Sequence, residues 1–276
     1  MLLSLNCGSS GPMGPSGPPS TGSTITYTAI GASDANGVGS SAPCVPFTDC
    51  PNGMGYVQMA TRRLTTQGFT VNLSNLGIPT AVIGPDFQTL GQQNGRVIAA
   101  NFIDHEAPFV RTSTTITIFA GVNEVNTITS ALGAGAGGAD PLGYVDRQVR
   151  AFGTDYATLI AALRAAAGQP RLIILNVPNT GAMPFLAGAS LAQRQIAQRA
   201  SVAMTRTVVN PLVSANVVVV DLMCDPRSYQ AGFYSGDGLH PNDGGYNNIA
   251  TEVVRAITAT SYPAPQSTCA SMTLVP

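Results

Sequence analysis

The chain has 276 residues and a formal net charge of −1, with 44% hydrophobic and only 10% charged residues. That length suits one large domain or two small ones with a substantial core. A charge so small gives no electrostatic basis for binding nucleic acid or an anionic membrane, and no segment reaches the roughly 18–20 consecutive apolar residues of a membrane span.

The chain opens with Met1-Leu-Leu-Ser-Leu-Asn-Cys7, followed by a Gly/Pro/Ser/Thr tract to about residue 23. This stretch resembles the tail of a bacterial lipoprotein signal, with Cys7 as the lipidation candidate and the tract as a flexible tether. The plain alternative is a tail with an incidental cysteine. Residues 24–276 are expected to form the folded domain. Without Cys7, the four cysteines Cys44, Cys50, Cys224 and Cys269 allow three pairings. Cys44–Cys50 as a short loop clip, with Cys224–Cys269 pinning the C-terminal tail, is the favoured set. An even count in this lysine-free chain favours an exported protein in an oxidising compartment, periplasmic or outer-surface; four reduced thiols are the other reading.

Residues 24–30 alternate β-branched and small side chains and predict a strand. A Gly-rich loop follows, then a helix over 55–66 stopped by Gly68. Residues 69–76 and 114–120 predict the second and third strands, with the intervening 84–112 read mostly as loop. Helical spacing runs over 146–167, an almost continuous apolar strand over 171–177, a helix over 190–210 and a strand over 217–222. A helix over 246–258 closes the pattern, with Asn242 or Asp243 as its cap. Strands alternating with helices predict an α/β fold, a three-layer α/β/α sandwich on a five-stranded parallel sheet. Five strands suit the flavodoxin-like order 2-1-3-4-5, in which ligands bind beyond the carboxyl ends of the strands.

Those strand ends carry the chemistry-bearing residues. Ser235-Gly-Asp-Gly-Leu-His240 holds one of only two histidines, with Asp237 three positions before it. A carboxylate so placed can fold back onto Nδ1–H of the ring, leaving Nε2 as a base. Ser33, at the turn after the first strand, is the candidate nucleophile. Its own N–H, the N–H of Gly77 after the second strand and the carboxamide of Asn123, in a loop after the third, are candidate donors to an oxyanion. His105, in Asp104-His-Glu106, lacks ligands at metal spacing and reads as a surface-turn residue. No metal or cofactor is expected.

Gly31-Ala-Ser33, Asn75-Leu-Gly77, Gly121-Val-Asn-Glu124 and Asp237-Gly-Leu-His240 together resemble the four blocks of the SGNH hydrolases, the GDSL-like esterases and lipases. The resemblance covers about residues 24–260. It implies a serine esterase that cleaves carboxylic esters, short-chain or O-acetyl-carbohydrate esters above all, through an acyl-enzyme. Ser33, Asp237 and His240 would be its triad, and Ser33, Gly77 and Asn123 its oxyanion hole. Two positions depart from the family pattern: Ala32 replaces the usual Asp before the nucleophile, and Glu124 replaces an Asp. Asp34 is the expected substitute for the lost carboxylate. A non-catalytic surface lipoprotein that binds a polysaccharide on the same fold is the alternative reading. The partner expected is a small-molecule or glycan ester, and the oligomeric state is not legible.

Overall fold

The structure, a computed structural model, describes residues 17–110 and 112–276. Cys7 and most of the proposed tether lie outside the described residues. Five strands, β1 (Thr24–Gly31), β2 (Thr70–Asn75), β3 (Thr115–Phe119), β4 (Arg171–Leu175) and β5 (Val217–Val220), pair in the order β2-β1-β3-β4-β5. Every pairing is parallel.

Period-two alternation sends each strand's side chains to two separate cores. Ile116, Ile118, Leu172 and Ile174 join the cluster under α4 (Val122–Gly133), α5 (Pro141–Ala167) and α6 (Leu191–Ala203). Ile25, Tyr27, Ile173 and Leu175 join the opposite cluster under α1 (Tyr56–Thr66) and α7 (Asp243–Thr258). This is the three-layer arrangement expected.

The differences from expectation lie at element ends. The stretch 84–112 holds α2 (Pro85–Gln93) and α3 (Phe102–His105). Its apolar residues are too few for the spacing to stand out, although Pro85 at the first turn marks a start. α5 begins at Pro141 rather than 146, because Asp140 Oδ1 accepts the Gly143 N–H at 2.9 Å. The helix expected over 190–210 stops being regular after Ala203 and passes through a π turn and a 3-10 turn to Leu212.

α7 is held at both ends. Asn242 Oδ1 accepts the N–H groups of Gly244 and Gly245 at 2.9 and 3.1 Å, and the buried Arg171 donates to the Ala256 carbonyl near the other end. Both favoured disulfides are present, Cys44–Cys50 and Cys224–Cys269. The second anchors a tail that packs Met272 and Val275 into the body. No helix among the described residues is long and apolar enough to cross a membrane.

Loop-closure entropy makes the two bridges unequal. Replacing Cys224 and Cys269 by serine removes a 45-residue closure and should cost about 4 kcal/mol, against about 2 kcal/mol for Cys44 and Cys50. Urea unfolding of the two double variants checks this order.

Candidate active site

The chain leaves β1 at Gly31 and turns at once. The Ser33 carbonyl accepts the N–H groups of Asn36 and Val38 at 3.2 and 3.1 Å, fixing a tight turn. Ser33 N–H has no protein acceptor among the described residues. Two contacts bring this turn against the one carrying His240. Asp243 accepts from the Ser41 N–H at 2.7 Å and its hydroxyl at 2.6 Å, and the Tyr246 hydroxyl donates to the Val38 carbonyl at 2.6 Å.

His240 Nε2 lies 2.8 Å from Ser33 Oγ, and His240 Nδ1 lies 2.6 Å from Asp237 Oδ2. Asp237 Oδ1 accepts from the Ser235 hydroxyl and from the N–H groups of Leu239 and His240, at 2.8 to 2.9 Å. Burial alone would raise the pKa of Asp237. Its hydrogen bonds, led by the His240 ring, instead hold it well below the usual carboxylate range. An acceptor that stays ionised fixes the imidazole tautomer and turns Nε2 toward Ser33.

Gly77 and Asn123 lie where the strand ends bring them, with differences. Asn123 stands in the first turn of α4, not in a loop. Its Nδ2 donates to the Ala81 carbonyl at 2.9 Å, which orients the carboxamide and leaves its second N–H free. Gly77 packs tightly on the turn around Ser33: a Cβ there would come within 2.6 Å of the Ala35 Cβ and 2.9 Å of Asn36 Nδ2. Its N–H donates to Asn75 Oδ1 at a long 3.2 Å, an acceptor the sequence did not reveal. His105 is exposed, and its ring lies near the Asn101 backbone.

Two buried carboxyls brace the site. Gly31 N–H, just before Ala32, donates to Glu106 Oε2 at 3.0 Å, so the carboxyl at this strand end comes from position 106. Asp34, the expected substitute, instead sits half-buried near Tyr246 and His240. Burial pushes Glu106 well above the ordinary range. Glu124 Oε2 accepts the Gly121 N–H at 2.7 Å and Oε1 the Ile83 N–H at 2.5 Å, tying the end of β3 to the segment after β2. Sequence reasoning missed Glu106 because an acid in a short, irregular segment carries no periodic signal that points to its partner.

Ser33, Asn123 and His240 stand where two spaces meet. A narrow cavity of about 70 Å³ runs behind them, with Ala32, Phe102, Phe119, Met183 and Leu222 in its walls. On the outer side lies a groove of about 520 Å³, walled by Thr80, Arg96, Asn126, Ser130 and Phe185 among others. A nucleophile, a base and free N–H donors at such a junction can attack an acyl carbon and hold the resulting oxyanion.

The family model described as GDSL-like Lipase/Acylhydrolase matches residues 29–247. Among solved structures, the chain is similar to the lipase Lip_vut3 from a goat rumen metagenome, at 17% identity over 86% of this chain and 100% of that one, with a TM-score of 0.60. It is also similar to an extracellular lipase from Streptomyces rimosus, at 13% identity over 84% and 99% of the two chains, with a TM-score of 0.56. A third likeness is LAE5, an alpha/beta hydrolase enzyme from the metagenome of Lake Arreo, at 17% identity over 86% and 95%, with a TM-score of 0.51. At these identities the likenesses show a common fold. No curated protein sequence matches the chain.

Burial raises the Glu124 pKa from 4.5 to about 7. The folded state therefore holds this proton more tightly than the unfolded chain does. The associated stability is complete below about pH 4.5 and is lost as pH rises to about 7, a swing on the order of 3 kcal/mol. Glu106 acts in the same direction. Glu124→Gln should flatten this decline, as measured by urea midpoints across that interval.

Proposed function

Because the chain belongs to the GDSL-like lipase/acylhydrolase family, we propose that it is a serine ester hydrolase working through an acyl-enzyme on Ser33. The observation that carries this reading is the unbroken chain from Asp237 through His240 to Ser33, at 2.6 and 2.8 Å. Ser33 Oγ attacks the acyl carbon while His240 Nε2 takes its proton, and Asp237 stabilises the imidazolium that forms. The oxyanion is held by the Ser33 N–H and the free Asn123 N–H. Gly77 N–H is the third donor once it exchanges its long bond to Asn75. His240 then protonates the departing alkoxide. Water then attacks the acyl carbon as His240 takes its proton, and that proton passes to Ser33 Oγ as the carboxylic acid leaves.

The narrow cavity supports a short acyl group such as acetyl, with the alcohol portion in the larger groove. The two disulfides favour a protein working outside the cytoplasm, and the Streptomyces rimosus relative is described as extracellular. A binding-only protein on the same fold has no observation in its favour, since Ala32 deprives the Asp237–His240–Ser33 chain of no group.

Ser33→Ala should lower kcat by at least about 10³-fold, and Asp237→Asn by about 10³- to 10⁴-fold. Full ester hydrolysis by purified, folded Ser33→Ala would refute the assignment. In the wild type, 4-nitrophenyl acetate and butyrate should be cleaved with higher kcat/KM than the palmitate ester.

A further inference from the structure

The groove outside Ser33 is lined by twelve residues, none of them Asp or Glu, and Arg96 is the one guanidinium among them. α2 delivers it rigidly. Gly95, at φ 75°, takes the left-handed conformation after the helix. Its N–H donates to the Gln92 carbonyl at 3.2 Å, while the Arg96 N–H donates to the Gly91 carbonyl at 2.9 Å. These paired bonds close the helix in a Schellman arrangement and fix the backbone from which the side chain leaves.

Among the described residues the guanidinium has no hydrogen-bond partner. Arg62, Arg63, Arg171, Arg194 and Arg227, the other partly or fully buried arginines of the described residues, each donate to a protein oxygen. Arg96 makes no side-chain hydrogen bond, and its Nε is shut off from solvent without an acceptor. Glu124 beneath the groove lies near enough to favour the cation, but backbone N–H groups occupy both its oxygens. One of the five guanidinium donors is thus buried without an acceptor, a cost that an oxygen supplied by a ligand would relieve. The Asn126 carboxamide shares this wall, and among the described residues only the Asn126 backbone carbonyl makes side-chain contacts, accepting from Thr129 and Ser130. Thr80, also on this wall, holds φ at 70°, a conformation unusual for a residue other than glycine.

We propose that Arg96 is a specificity residue that binds an anionic oxygen group, carboxylate or phosphate, on the alcohol portion of the ester. The preferred substrates are then short-chain esters of acidic sugars or of phosphate-bearing alcohols. This rests on the ester-hydrolase reading. Guanidinium matches both anions through paired N–H···O bonds.

The test uses matched pairs: O-acetylgalactose against O-acetylgalacturonic acid, and O-acetylglycerol against O-acetylglycerol 3-phosphate. We expect kcat/KM to favour the anionic member of at least one pair by about 10-fold or more. That ratio should fall toward one in Arg96→Gln and only partly in Arg96→Lys. A ratio within one preparation does not depend on how much of a variant is folded. Preference within the first pair identifies acidic sugars, and within the second phosphate-bearing alcohols. Turnover of the neutral esters without anionic preference, or a preference unchanged in Arg96→Gln, overturns the proposal and leaves the hydrolase reading standing. If no ester is cleaved, 4-nitrophenyl acetate included, the hydrolase reading fails and this proposal falls with it.

Discussion

A single hydrogen bond joins residues 207 positions apart, His240 Nε2 and Ser33 Oγ, and much of the fold keeps it in place. The parallel sheet brings both turns to the same edge, since every strand ends there. The cap of α7, the grip of Asp243 on Ser41 and the hydroxyl of Tyr246 on the Val38 carbonyl lock the two turns together. Asp237 completes the geometry locally, because its four hydrogen bonds leave the imidazole little freedom to rotate. Chemistry is thus prepared by rigidity rather than by any one strong contact.

The same edge holds two buried carboxyls whose protons burial retains. Glu106 and Glu124 hold backbone N–H groups at the ends of β1 and β3, each from a position that burial makes unfavourable for a carboxylate. These contacts pin the strand ends that present Ser33 and Asn123. A site braced in this way trades stability for placement, which is common where catalytic geometry must be exact to a fraction of an ångström. Ala32 fits this arrangement. The position packs apolar side chains, and the carboxyl reaches the strand end from another part of the chain.

The legible part of the molecule was the part written in periodicity and short blocks. Alternation and short apolar runs marked the five strands, and their alternation with helices suited the order observed. The Asp237-Gly-Leu-His240 spacing gave a hydrogen bond that needs only a local turn, and sequence separation favoured the disulfide pairing found here. Legibility failed where position depends on tertiary contact. Asn123 reads as a loop residue because Gly121 masks the start of α4, whose first turn is set by Glu124 accepting the Gly121 N–H. Glu106 and Arg96 are single residues outside the regular helices, and Asn75 is the last residue of β2. Their partners, or the lack of them, exist only once loops from different strand ends come together.

Fluorophosphonate labelling of the purified protein, read by intact mass and peptide mapping, tests the central claim most directly. Phosphonylation requires a serine activated by its base and a formed oxyanion site. Our account predicts one adduct per chain, on Ser33, and none in His240→Ala. A folded, disulfide-intact protein that takes no label, or takes it on another residue, would contradict the account.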